Sequence, residues 1–282
     1  MKEFVLLVIA CVLASCSSTP TPAQAQASAT PAPTTRPTLT ATARPVATEP
    51  PASSTPLPTL QSADEYFERG LSFLNSGDYQ SAVFDFSQVI TREPQDSNAY
   101  FNRGLAYYHL ADYQSAILDY DKVLEFDAAD AEAYYSRGLA YYQMQDYASA
   151  ILDYDKAIEL DAQSVDAYIN RALAYYDDNG DSQRALADLD TAITLDPQHA
   201  NAYVNRGFVY QELGNLERAF ADYDQAIELD PSYGLAFYNR GLAYYDLADD
   251  EHARSDLERA LELGLDPELA TEAEDLLNEL RP

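Results

Sequence analysis

The chain has 282 residues and a formal net charge of −30, from 47 Asp and Glu against 17 Lys and Arg. A surface this acidic repels nucleic acid and anionic lipid headgroups and attracts basic proteins or divalent cations, so nucleic acid is not an expected partner. His109, His199 and His252 show no metal-ligand spacing, and no Ser-His-Asp set, phosphate-cradling Gly loop or zinc motif occurs; the expectation is a non-enzymatic protein without cofactor or metal.

In chain order, the first segment is a targeting sequence, residues 1–15. Lys2 precedes an apolar run from Phe4 to Leu13 that is too short to span a bilayer as a helix. Leu13-Ala14-Ser15-Cys16 follows directly. These four residues resemble the bacterial lipoprotein lipobox, which implies cleavage before Cys16 and acylation of its sulfur. The alternative is an ordinary secretory signal with an incidental Cys. Lipidation implies an extracytoplasmic protein held at the bacterial cell envelope; the acyl chains would supply the membrane contact. Residues 16–62 are rich in Thr, Pro, Ala and Ser and carry almost no charge. They lack the apolar content for a core and read as a disordered tether. Its reach is roughly 40 Å as a flexible coil and about 140 Å as polyproline.

Beyond the tether, Asn-Arg-Gly or a close variant returns at a fixed interval. Its Arg is Arg69, Arg103, Arg137, Arg171, Arg206 and Arg240, with steps of 34 and one of 35. A period of this size marks a solenoid of stacked supersecondary units. Each unit reads as two helices. In the second, Tyr100, Phe101, Gly104, Leu105, Tyr107 and Tyr108 recur at helical spacing, and Ala116, Ile117, Tyr120, Val123 and Leu124 do so again. Short breaks such as Ser76-Gly77-Asp78 and Leu213-Gly214-Asn215 separate them. Gly there suits a left-handed helix end, and the following Asp or Asn suits an N-cap. Small residues, Gly104 facing Ala116 and their equivalents, predict close helix approach. Ala172 stands where the other units have Gly.

At these residues the chain resembles the tetratricopeptide repeat family. The fifth unit follows the family pattern throughout, as Tyr203, Gly207, Tyr210, Ala219, Tyr223, Ala226 and Pro231. The resemblance implies an all-α fold, an α-solenoid of helix-turn-helix repeats wound into a right-handed superhelix. It assigns six repeats to 63–267 and a polar-backed capping helix to 268–282, with Asp266-Pro267 as N-cap and first helical residue. It also implies protein or peptide binding on the inner face of the first helices.

Asp85, Asp119, Asp153, Asp188, Asp222 and Asp256 share the period of the Arg. An Arg fork and a carboxylate make a bidentate pair, so Arg103 with Asp119 and Arg137 with Asp153 read as a structural brace. A second acid two residues on, such as Asp121, Asp190 or Asp224, is part of the same architecture and not paired catalytic carboxylates. Before the Arg stand Asn102, Ser136, Asn170, Asn205 and Asn239. One Asn can hold both sides of a peptide unit, and the column resembles the asparagine ladder in the repeats of the O-linked N-acetylglucosamine transferase family. The alternative is that each Asn bonds within the solenoid. Phe101, Tyr135 and Tyr238 run beside that column. Tyr108, Tyr142, Tyr176 and Tyr245 form a further one, expected to face the groove because the preceding tyrosines, such as Tyr107, match the family's core position.

Acids at Glu132, Asp166, Glu212 and Asp246 edge this face, so the expected partner is an extended protein or peptide with apolar or aromatic anchors and some Lys or Arg. The leading expectation is a membrane-anchored interaction scaffold. The alternative is a self-assembling structural envelope protein whose groove packs against itself; an envelope hydrolase is a third, disfavoured for want of a catalytic constellation. Asp177-Asp178-Asn179-Gly180-Asp181 has calcium-loop composition but neither the alternating spacing nor the closing Glu, and reads as a longer interhelix turn.

Overall fold

The computed structural model describes residues 62–280. The expected signal, Cys16 and nearly all of the tether lie outside the described residues. Among those described there are thirteen helices and no strand. They fall into two compact units, 62–164 and 165–280.

The first unit holds three helix pairs: α1 (Ala63–Ser76) with α2 (Tyr79–Arg92), α3 (Ser97–His109) with α4 (Tyr113–Phe126), and α5 (Ala131–Gln143) with α6 (Tyr147–Leu160). Each pair is a hairpin, and α2 also packs on α3 and α4 on α5. Ser62 opens α1 with a capping box: its hydroxyl accepts from Glu65 N–H and the Glu65 carboxylate accepts from Ser62 N–H, both at 3.1 Å. Asp78, Asp112 and Asp146 cap the second helices by accepting from the backbone N–H of Ser81, Ser115 and Ser149. Just before each cap the chain turns through the left-handed region. Gly77 does so freely at φ 79°, whereas Ala111 and Gln145 do so at 58° and 62°. A side chain in this region costs about 1 kcal/mol.

The Gly column has a packing cause. A Cβ on Gly138 would lie 2.7 Å from the Tyr154 ring, and on Gly104 2.9 Å from Tyr120. Both tyrosines are fully buried and lie across the hairpin against that backbone. Where the fourth repeat places the smaller Leu189 at the ring position, Ala172 replaces Gly.

The second unit holds α7 (Val165–Asn179) with α8 (Ser182–Leu195), α9 (Ala200–Glu212) with α10 (Leu216–Leu229), α11 (Gly234–Asp246) with α12 (Asp250–Leu263), and a final α13 (Pro267–Glu279). The single 35-residue step sits in α7, which runs 15 residues where the other first helices of this unit run 13. Gly180 then turns at φ 70° and Asp181 caps α8 through Arg184 N–H. That is the structure of the Asp177–Asp181 stretch. Asp266 caps α13 with Pro267 in its first turn, and Leu269, Ala273 and Leu280 are buried against the preceding pair, while Glu274, Asp275 and Glu279 stay exposed. No described helix is long and apolar enough to cross a membrane.

Candidate functional site

The Arg and Asp columns meet as six forks, one inside each helix pair. Arg103 Nε and Nη2 donate to Asp119 at 2.8 and 2.7 Å, and Arg137 donates likewise to Asp153 at 2.8 and 2.7 Å. Arg69–Asp85, Arg171–Asp188, Arg206–Asp222 and Arg240–Asp256 repeat the geometry. The remaining guanidinium nitrogen reaches the second helix of the preceding repeat: Arg103 Nη1 donates to Ser87, Arg137 to Asp121, Arg206 to Asp190 and Arg240 to Asp224. The second acid of the motif is therefore the tie between repeats. Each Arg also lies against aromatic rings on its own helix. Arg137 is 5.5 and 6.0 Å from the centroids of Tyr134 and Tyr141, within cation–π range. Burial pushes the Asp119, Asp153 and Asp222 carboxyls up even with the fork in place. Hydrogen bonds to the carboxylates hold Arg137, Arg206 and Arg240 far above the ordinary guanidinium range.

The Asn column is buried. Asn102, Asn170, Asn205 and Asn239 are 1–6% exposed. Asn102 donates to the Asn98 carbonyl, Asn170 to Asp166 and Asn239 to Leu235, each one turn back at 2.8 Å. Asn205 donates instead to the Asn201 side chain at 2.7 Å. One amide donor of each is thus used within its own helix. Phe101 is buried against Tyr120, Tyr135 is half-buried 6.0 Å from Tyr154, and Tyr238 is fully buried.

The second tyrosines are more buried than their expected place in the groove requires. Tyr108 and Tyr142 are 4% and 7% exposed, whereas Tyr107 and Tyr141 are half-buried. Two ring contacts explain the exchange. The first tyrosine lies beside the Arg of the brace, and the second packs edge-on against the tyrosine that opens the next helix, Tyr108 on Tyr113 at 5.4 Å and Tyr142 on Tyr147 at 5.3 Å. Where the second helix opens with Ser182 or Asp250, no such ring is available. Tyr176 and Tyr245 are half-buried there and donate to Glu212 on α9 and Glu279 on the final α13. Burial and the neighbouring Glu212 push the Tyr176 hydroxyl up. Gln211 ties to Asp246 in the same way at 3.1 Å.

On α3 and α5 four polar atoms are buried without a protein partner: Asn102 Oδ1, Tyr108 Oη, His109 Nδ1 and Gln143 Nε2. The first two lie in the columns singled out by sequence. His109 and Gln143 were missed, although they occupy one repeat position, 34 apart. Burial also lowers the His109 pKa. Glu132, on the first turn of α5, has its carboxyl lifted by burial and by Asp130 to about 7.

A stack of helix hairpins joined by repeating side-chain braces is the architecture of a helical-repeat solenoid protein. Models of the tetratricopeptide repeat match residues 67–134, 131–164, 153–187, 172–236 and 235–263, covering the solenoid without a break. The chain belongs to the tetratricopeptide repeat family. No curated protein matches it in sequence. Among solved structures, MamA is 26% identical over 57% of this chain and 94% of its own, with a TM-score of 0.53. YrrB, described as a tetratricopeptide repeat protein with an unusual peptide-binding site, is 26% identical over 67% of this chain and 97% of its own, with a TM-score of 0.50. A tetratricopeptide repeat protein from Parabacteroides merdae shares the fold at 24% identity and a TM-score of 0.64, over 77% of this chain and 84% of its own.

Proposed function

We propose that the chain is a non-catalytic interaction scaffold that binds an extended peptide along its first helices and is held at the bacterial envelope, on the extracytoplasmic side, by acylation of Cys16. Half-buried side chains on α3 and α5, His109, Tyr135 and Gln143, carry the binding reading, since a peptide backbone offers both a donor and an acceptor per residue to such polar rings and amides. The atoms Asn102 Oδ1, Tyr108 Oη, His109 Nδ1 and Gln143 Nε2 are themselves closed off from solvent. Apolar or aromatic peptide side chains would fill the surface beside Phe101 and Tyr135. Acids at Glu212 and Asp246 favour Lys or Arg in the partner. YrrB supports peptide binding as a use of this repeat. The order of apolar run, Leu13-Ala14-Ser15 and Cys16 supports the anchor.

Crosslinking and pull-down from the native membrane tests the binding reading. A specific partner should be captured, and Gln143→Ala should reduce capture while leaving the protein folded. Failure to recover any specific partner, or full capture by the variant, contradicts it. The anchor has its own test: Cys16→Ser should release the protein from the membrane fraction, and a variant that stays equally bound removes the assignment.

A further inference from the structure

The second helices differ in one exposed column. Two residues after the buried Ala of each second helix stand Phe84, Leu118 and Leu152 in the first unit, and Ala187, Ala221 and Ser255 in the second. Phe84, Leu118 and Leu152 are 46%, 57% and 66% exposed. Phe126 and Leu160, two turns further along α4 and α6, are 44% and 42% exposed on the same helix face. An acid stands three residues after this column in both units, Asp121 and Asp155 in the first and Asp190, Asp224 and Glu258 in the second, so the units differ in the column itself.

This face also departs from the chain's charge. Lys122 and Lys156, the only lysines after Lys2, lie one turn after Leu118 and Leu152. Each pairs with an acid three residues on, Glu125 or Glu159. Arg92 lies at the corresponding end of α2, whose other exposed positions include Gln80 and Thr91. The exposed face of α2, α4 and α6 is thus apolar and near charge balance in a chain of net charge −30.

We infer that this face is where a second copy of the chain docks, about a two-fold axis passing by Leu118. Two arguments select a second copy over another partner. First, the column is self-complementary under a two-fold, as an isologous interface requires. Leu118 meets its own equivalent, and Phe84 of each copy meets Leu152 of the other. Leu152 borders an open depression with Tyr134, Tyr141 and Lys156 in its wall, a receptor for the Phe84 ring. Second, two copies repel one another over acidic surface, and on this face Arg92, Lys122 and Lys156 offset most of the charge of Asp121, Glu125, Asp155 and Glu159. The five apolar side chains offer on the order of 400–500 Å² per copy, taking about 200 Å² for a large side chain. With the polar atoms between them, the contact reaches the lower end of the range for specific interfaces, roughly 1,200 Å² in total. The dimer is accordingly weak, and salt strengthens it by screening the acidic remainder. It leaves the first-helix face free, so it is separate from peptide binding.

Sedimentation of the full chain over a concentration series tests this. The expected result is a concentration-dependent dimer that tightens as salt rises. Leu118→Glu sets two carboxylates against each other at the axis and should weaken the dimer at least tenfold; Ala221→Glu, on the same column of the second unit, should leave it unchanged. In a Cys11→Ser, Cys16→Ser background, Leu118→Cys should form an intermolecular disulfide on mild oxidation. A wild-type chain that stays monomeric at high concentration overturns the proposal. So does a dimer indifferent to Leu118→Glu, or the absence of the Leu118→Cys crosslink. Flotation of a monomeric chain with phosphatidylcholine vesicles that Leu118→Glu abolishes would assign the face to lipid and equally overturn it.

Discussion

Residues 62–164 and 165–280 are built from the same hairpin and the same brace, yet they do different things with their remaining positions. In both, an Arg fork grips an Asp across the hairpin, and in both a further nitrogen ties back to the preceding repeat. The second tyrosine is buried under Tyr113 and Tyr147 in the first unit but reaches acids on α9 and α13 in the second. The exposed column of the second helices is Phe-Leu-Leu in one and Ala-Ala-Ser in the other. Positions identical in both units are what the hairpin needs to close. The positions that differ are those free to carry function, and His109, Gln143 and the exposed apolar face belong to the first unit.

The largest expected effect is on the shared architecture. Arg137→Leu leaves Asp153 buried without its fork and removes the tie to Asp121, and should cost about 3–5 kcal/mol in urea unfolding. Arg103→Leu, whose third contact is the neutral Ser87, should cost less; equal losses would show that the tie between repeats contributes nothing. Next comes the ring contact. Gly138→Ala places a methyl 2.7 Å from Tyr154 and should destabilise by about 1–3 kcal/mol, an effect that Tyr154→Leu should relieve, as Ala172 with Leu189 already shows. Gly241→Ala, 3.1 Å from the softer Leu257, should cost less.

A smaller effect separates the units by pH. The Glu132 carboxyl is lifted to about 7 by burial, so the folded state holds its proton where the unfolded chain, near 4.3, has released it. Its contribution is fully present below pH 4 and is lost as pH rises to about 7, by roughly 1–3 kcal/mol. Glu132→Gln should flatten that slope in the first unit, followed by hydrogen exchange of α5; an unchanged slope would place the titration elsewhere. The smallest effect is at the turns. Ala111→Gly and Gln145→Gly relieve a left-handed side chain and should stabilise by about 0.5–1 kcal/mol, while Gly214→Ala, already at φ 75°, should lose about as much.

Much of the fold could be read from residues alone because its determinants are local and periodic. Gly104 opposite Ala116, Asp112 before Tyr113 and Asp266 before Pro267 each act within one hairpin or one cap. The Arg and Asp columns shared a period, and their meeting followed from it. The site was less legible. Whether Tyr107 or Tyr108 faces out depends on which ring lies next to each, and the deciding ring, Tyr113, belongs to the following helix. The Asn column was readable as polar residues at a constant position, but not that an amide donor would go to the carbonyl one turn back. The apolar column of Phe84, Leu118 and Leu152 carries no distinguishing signal in the sequence, since only the packed hairpin shows that this position faces solvent.

The most direct test of the binding account is photo-crosslinking of the full chain in the cells that make it, with a photoreactive residue in place of His109 on α3. Capture of a discrete protein or peptide from this position, and none from the same group in place of Ala187 on α8, is the predicted result. Equal, indiscriminate labelling from both positions, or none from either, would contradict the claim that the first helices of the first unit are where this scaffold holds its partner.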